Sequence, residues 1–103
     1  MKILTAEKDN GLIVRITGDI DHHSAPAIRE EIDLELQKRM PETLILDLGD
    51  TDFMDSSGLG LILGRLRKTK ELGIRLVLLN PTEPIVKIIR LAGMDRQLEI
   101  QYL

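Results

Sequence analysis

The fold is decided by residues 43–64, TLILDLGDTDFMDSSGLGLILG, which change from the pattern of a strand to that of a helix. Residues 43–48 are almost continuously apolar, which is typical of a strand buried on both faces of a sheet. Further on, four apolar residues recur on one helical stripe: Leu59, Ile62, Leu63 and Leu66. Ser56 and Ser57 therefore stand at a helix start, where the first backbone amides lack partners within the helix.

The residues before this stretch predict a hairpin and a helix. Residues 2–8 and 12–18 read as antiparallel strands, because Asn10-Gly11 between them is a strong hairpin signal. Ser24 is the expected N-cap of a helix that runs to about Met40 and has Pro26 in its first turn. Three apolar residues four positions apart give this helix its buried side: Ile28, Ile32 and Leu36.

The residues after it predict two more strands and one more helix. Gly73 ends the second helix, and residues 74–80 form a strand. Thr82 then caps a third helix, whose expected buried stripe is Ile85, Ile88, Ile89 and Ala92. Residues 97–103 can form a short last strand. The sequence thus predicts one α/β domain over residues 1–103, with a mixed sheet of four to five strands and three or more helices.

The composition excludes several classes of protein. The 103 residues carry 14 basic and 17 acidic side chains, a formal net charge of -3, which argues against direct nucleic-acid binding. The absence of cysteine excludes disulfides and thiolate metal sites. No apolar run reaches the roughly 20 residues that a membrane helix needs, and the N-terminus does not have the pattern of a signal peptide. We expect a cytoplasmic protein without a membrane segment.

The two adjacent serines, Ser56 and Ser57, can have different roles. We expect Ser57 to cap the helix and Ser56 to point outward. A phosphate on Ser56 would add about -1.5 to -2 charges beside Asp55, while the helix N-terminus would stabilise the anion by roughly 0.3–1 kcal/mol. Little refolding is expected, whereas a partner pressed against Ser56 would lose affinity. The pair therefore favours a phosphorylation site that releases a partner.

The outward side of the second helix is the expected docking face. A helical wheel with Leu59 and Ile62 inward places Gly60, Leu61 and Gly64 outward. Each glycine inside a helix costs about 1 kcal/mol relative to alanine, so two of them on an exposed face suggest a close approach by another molecule. Tight packing within the domain is an equal alternative at this point.

The loop Asp19-Ile20-Asp21-His22-His23 and the serines allow other chemistries, each with weak support. Adjacent histidines in a loop seldom face one metal ion, and the chain has no further histidine. A hydrolase could use Ser56 with His22 or His23, but the Gly-x-Ser-x-Gly elbow is missing. The glycines after the strand do not have the dinucleotide spacing. We therefore predict no cofactor, no metal and no catalysis.

Three segments together resemble a known family: residues 21–23 (DHH), 53–60 (FMDSSGLG) and 62–65 (ILGR). They are similar to the anti-sigma factor antagonists, which are bacterial anti-anti-sigma proteins of the STAS domain family. The resemblance covers nearly the whole chain and looks closer to the sporulation antagonist of the forespore sigma factor than to the general stress antagonist. Members usually continue into a further C-terminal helix where this sequence ends.

The resemblance implies partner switching. The unphosphorylated protein would bind an anti-sigma factor that is also a serine kinase, so that the sigma factor is released. The kinase would phosphorylate the first serine of the motif, here Ser56, and a PP2C-type phosphatase would reverse this. The expected partner-binding residues are Asp21, His22, His23, Asp55, Ser56, Ser57, Gly58, Gly60, Leu61 and Gly64. A ligand-sensing or scaffold STAS domain is the main alternative.

Overall fold

The computed structural model describes residues 2–103. Within them the elements alternate between strand and helix after an opening hairpin. The strands are β1 (Lys2–Lys8), β2 (Gly11–Ile20), β3 (Thr43–Asp47), β4 (Thr51–Met54), β5 (Arg75–Leu79) and β6 (Glu99–Gln101). The helices are α1 (Ala25–Arg39), α2 (Ser56–Leu72) and α3 (Glu83–Leu91).

The strands form one mixed sheet with the order β1-β2-β3-β5-β6, and β4 pairs with the far end of β2. Only β1 runs antiparallel to its neighbour. Its turn places Asp9 and Asn10 at positive φ, 51° and 64°, as the tight turn between twisted strands requires. The predicted α/β fold and the predicted hairpin are confirmed.

The core lies on one face of this sheet. That face carries Leu12, Val14, Leu44, Leu46 and Leu78, which are fully buried. All three helices contribute to the same cluster, through residues such as Ile28, Ile62 and Ile89. On the opposite face Ile45 is only half-buried and Arg15 is exposed, paired through Nε with Asp47 Oδ2 at 3.0 Å. Asp47, on the same face as Ile45, is 6% exposed. The prediction that residues 43–48 are buried on both faces is therefore correct only in part.

The structure adds one strand to the predicted sheet. Residues 51–54 form β4, which the sequence prediction left between the central strand and the serine motif. This short strand is anchored by Thr51, which is buried and donates through Oγ1 to the Ile16 carbonyl at 2.7 Å. The sheet consequently has six strands rather than four to five.

Two details of the predicted helices were wrong. Ser24 occupies the N-cap position of α1, but its side chain caps no helix amide; its hydroxyl instead donates to the Asp19 carbonyl at 2.9 Å and so closes the preceding loop. On α3, Val86 is buried in place of Ile88, which is half-buried, and Ala92 is exposed just beyond the last turn. The predicted ends of α2 and α3 at Gly73 and Gly93 are confirmed, since both glycines adopt positive φ, 72° and 73°.

Candidate functional site

The first turn of α2 carries both serines, and a carboxylate caps it. The side chain of Asp55 accepts hydrogen bonds through Oδ1 from the backbone N–H of Ser57 at 2.8 Å and of Gly58 at 3.2 Å. Asp55 is therefore the N-cap, and the prediction that Ser57 plays this role was wrong. A carboxylate is the stronger acceptor at this position, because its charge also interacts favourably with the helix dipole. Ser56 is exposed, as expected, and Ser57 is half-buried.

Gly58 fixes how α2 sits on the sheet. A Cβ at this position would lie 2.2 Å from Met54 Cγ and 2.8 Å from the Ile20 carbonyl oxygen. Only glycine allows this approach. The contact turns α2 so that its buried side consists of Gly58, Leu61, Ile62, Arg65 and Thr69.

The predicted outward face is therefore correct only in part. Gly60 is exposed and Gly64 is half-buried, and a Cβ on either would meet no heavy atom within 4 Å. Leu61, in contrast, is 6% exposed, so its predicted outward position was wrong. Gly58 is likewise buried in the domain and offers no surface. Because α2 is rotated by its contact at Gly58, the residues predicted to face inward at 59, 63 and 66 are only half-buried.

The loop at residues 19–24 lies beside the serine motif because β2 and β4 are paired. Asp19 is opposite Phe53 and Ile20 is opposite Met54, and the N–H of Asp55 donates to the Ile20 carbonyl at 3.3 Å. Parallel strands end at the same edge of a sheet, so the loop after β2 and the helix start after β4 meet there. The loop and the two serines are neighbours for this reason.

Asp21 holds this loop in a defined shape. Its Oδ1 accepts from the N–H of His23 at 2.9 Å and of Ser24 at 3.0 Å. The hydrogen bond from the Ser24 backbone is the main cause of a lowered pKa of Asp21, assisted by the bond from His23. The exposed rings of His22 and His23 lie 3.9 Å apart, centroid to centroid. Asp21 is thus a structural carboxylate, while both imidazoles remain on the surface.

A cleft of about 300 Å³ joins the loop to both helices, and we name it the α1–α2 cleft. His22 from the loop and Arg29 from α1 form one wall, and Ser57, Gly60, Gly64 and Arg65 from α2 form the other. Leu61, which is 6% exposed, also lines it. The structure thereby brings together His22, Ser57, Gly60 and Gly64 of the predicted site, while Asp55 and Ser56 stand at the adjoining helix start.

The burial of Arg65, which lines the α1–α2 cleft, was not predicted from the sequence. It is 8% exposed, and its Nη1 donates to Asp33 Oδ1 at 2.5 Å across the two helices. A charged residue between half-buried leucines gives no hint of burial. The residue four positions later, Thr69, is also buried and polar, and its Oγ1 donates to the Arg65 carbonyl at 2.8 Å. The sequence pattern gave no signal that either side chain is buried.

Two other kinds of site were considered from the sequence, a metal site and a serine hydrolase site. Among residues 2–103 no group of three or more histidine, cysteine or acidic side chains could hold a metal ion. The imidazoles of His22 and His23 make no hydrogen bond to either serine within this range. No helix in the part of the chain that is described is long and apolar enough to cross a membrane.

Comparisons with known proteins agree with the fold and the motif. A family model described as the STAS domain matches residues 2–102. The anti-sigma F factor antagonist of Paenibacillus polymyxa is 35% identical over 89 residues, which are 86% of this chain and 76% of the relative. The unphosphorylated form of the anti-sigma factor antagonist SpoIIAA superposes with a TM-score of 0.84 at 28% identity, over 99% of this chain and 88% of that one. The phosphorylated form of SpoIIAA, a Bacillus cell fate determinant, gives a TM-score of 0.79 at 28% identity, over 99% and 91%.

Proposed function

The chain belongs to the STAS domain family, and we propose that it is an anti-sigma factor antagonist that is switched by phosphorylation of Ser56. In this proposal the unphosphorylated protein binds an anti-sigma factor serine kinase and thereby releases a sigma factor. The protein acts as a substrate and a binding module, without catalysis of its own. The observation that carries the proposal is the exposed hydroxyl of Ser56 at the first position of α2, beside a surface with two open glycines.

The geometry favours Ser56 over Ser57 as the residue that is phosphorylated. Both hydroxyls are free of capping, because Asp55 supplies the cap. Ser57 is half-buried and turned into the α1–α2 cleft, whereas Ser56 is exposed. A kinase must align the hydroxyl with the γ-phosphate of its nucleotide, and only a hydroxyl at the surface can enter that site.

The same geometry favours a phosphate that weakens binding to the partner rather than one that changes the fold. A dianion on Ser56 gains roughly 0.3–1 kcal/mol from the helix N-terminus and is opposed by the nearby carboxylate of Asp55, so the fold changes little. In a complex, the phosphate would lie at the contact and be desolvated without a partner, at a cost of several kcal/mol. Because about 1.4 kcal/mol corresponds to a tenfold change in affinity, release by orders of magnitude follows. The unphosphorylated and the phosphorylated form of SpoIIAA both superpose on 99% of this chain, which supports the expectation that the fold changes little.

The test is the mass of the intact protein after incubation with its cognate anti-sigma factor kinase and ATP. One added phosphate is expected, mapping to Ser56; Ser56→Ala should abolish it and Ser57→Ala should keep it. A PP2C-type phosphatase should then remove the phosphate and restore binding. Equal affinity of Ser56→Asp and Ser56→Ala for the kinase would contradict the proposal. Absence of any modification would favour a ligand-sensing or scaffold STAS domain instead.

A further inference from the structure

Phe53, in β4, is the exposed large apolar side chain nearest in sequence to Ser56 among residues 2–103. It is the one phenylalanine of the chain, and 51% of its surface is accessible to solvent. Burying such a ring removes a large apolar area from water, which favours binding by any surface that can cover it. Aromatic side chains are enriched in protein–protein contacts, where a few buried anchors carry most of the binding energy.

A β-bulge at Asp52 turns Phe53 outward. β4 contributes two residues, Asp52 and Phe53, opposite Asp19 alone. In a regular strand alternate residues share a face, so Phe53 would point to the same side as the buried Thr51. The extra residue shifts this alternation, and Met54 joins the core with 1% exposure while Phe53 is exposed. The ring therefore lies on the sheet face opposite the core.

A partner that covers Ser56 also reaches Phe53. The pair of Asp19 and Phe53 is one register position from the end of the β2–β4 pairing, where the loop after β2 meets the start of α2. Ser56 follows Phe53 by three positions, which is about 11 Å of chain at most. A protein contact of ordinary size covers about 800 Å² on each partner, or roughly 16 Å in every direction from its centre. Such a contact continues from the helix start over the sheet edge onto Phe53.

The residues around the ring are acidic. Asp19, opposite Phe53, and Asp52, next to it, are both exposed, and no ion pair within residues 2–103 includes either of them. Asp50, just before β4, is exposed as well. Charges at the rim of a contact attract a partner of opposite charge and repel one of the same charge. The ring and its surroundings therefore fit an apolar pocket with lysine or arginine at its rim.

We propose that Phe53 is the apolar anchor of the docking surface and inserts into a pocket of the anti-sigma factor kinase whose rim carries lysine or arginine side chains facing Asp19 and Asp52. This inference rests on the proposed function and names the contact by which the kinase recognises the protein. It also gives the release a second physical cause. A phosphate on Ser56 holds water and negative charge beside the anchor, so the ring is no longer fully desolvated in the complex.

The first experiment measures the affinity of the full chain for the purified kinase in the presence of ADP, which has no phosphate to transfer to Ser56. Phe53→Ala should weaken binding by about 30-fold or more, as loss of an anchor side chain does. Leu91→Ala is the matched control and should bind within twofold of the wild type. Leu91 is 79% exposed and is the last residue of α3, whose other end contacts β4 through Thr82.

The charged rim is tested through the rate of association. Asp19→Asn and Asp52→Asn should each slow association with the kinase at low salt, and this difference from the wild type should disappear at high salt, because screening removes it. Association rates equal to that of the wild type at low salt would overturn the basic rim of the pocket.

A further measurement needs no change of the side chain's size. Because Phe53 is the one phenylalanine, para-fluorophenylalanine incorporated during expression gives a single fluorine resonance from this chain. Addition of unlabelled kinase with ADP should shift this resonance. Prior phosphorylation of Ser56 should prevent the shift. If Phe53→Ala does not fold, this resonance decides.

The outcomes separate this inference from the proposed function. Failure of the wild-type protein to bind the kinase or to be phosphorylated by it overturns both. Normal binding and phosphate-dependent release of the wild type, with folded Phe53→Ala within twofold of it, overturns the inference alone. Equal losses in Phe53→Ala and Leu91→Ala also overturn it, since the effect is then not specific to Phe53. A fluorine resonance that bound kinase leaves unmoved does the same.

Discussion

Alanine at Gly60 or Gly64 should stabilise the free protein and weaken its complex. Both residues lie inside α2, away from its ends, and the added methyl group would meet no heavy atom within 4 Å. Nothing in the fold therefore opposes the gain in helix propensity, which is about 1 kcal/mol per substitution. For a domain of this size, each substitution should raise the melting temperature by about 4–8 °C.

Gly58→Ala is the matched control, because it changes the same residue type in the same helix. Here the added Cβ would lie 2.2 Å from Met54 Cγ and 2.8 Å from the backbone oxygen of Ile20. The backbone atom cannot move aside as the end of a side chain can, so overpacking should cost about 1–3 kcal/mol. Urea denaturation of the three variants should thus give opposite signs for Gly58 and for the other two glycines.

Binding to the anti-sigma factor kinase completes this test. If a partner approaches the backbone at Gly60 and Gly64, the new methyl groups fill space that the partner needs. A penalty of about 1–3 kcal/mol corresponds to roughly 5- to 150-fold weaker binding. Stabilised alanine variants that bind as tightly as the wild type would refute the docking role of this face. Variants that are not stabilised would refute the assignment of open space around the two glycines.

Two further predictions concern the loop and the cap. Asp55→Ala removes the acceptor of two backbone N–H groups and should lower the free energy of unfolding by about 1 kcal/mol. Ser57→Ala should leave the free energy of unfolding nearly unchanged in the same urea titration. Equal losses in the two variants would show that Ser57 also caps the helix. The Ser24 backbone N–H lowers the pKa of Asp21 below its ordinary value of 3.8. A carboxyl group with a depressed pKa in the folded state keeps its stabilising bonds above the unfolded value and loses them as the pH falls through the folded value. The amide resonances of His23 and Ser24 should therefore follow a titration whose midpoint lies below 3.8. A midpoint at or above that value would contradict the stabilisation of the Asp21 carboxylate by these two amides.

The sequence predicted those features that depend on local chemistry. The hairpin between β1 and β2, whose turn is formed by Asp9 and Asn10, and the helix end at Gly73 follow from turn and helix-end preferences. The rotation of α2 could not be predicted in this way. It is set by the contact of Gly58 with Met54 and Ile20, which lie in strands and therefore do not enter the helical wheel of α2. Leu61 and Arg65 consequently face inward against the expectation that an arginine is solvated and that leucines define the stripe.

The N-cap formed by Asp55 changes which serine hydroxyls are free. With Ser57 as cap, only the hydroxyl of Ser56 would be free for modification. With Asp55 as cap, both hydroxyls are free, and the one that is half-buried faces a cleft whose lining includes two arginines. In the proposed function the exposed hydroxyl of Ser56 accepts the phosphate, while the hydroxyl of Ser57 stays in the cleft. Kinase recognition and release, as proposed here, both act at the first turn of α2, so neither requires a change in the sheet or in the core.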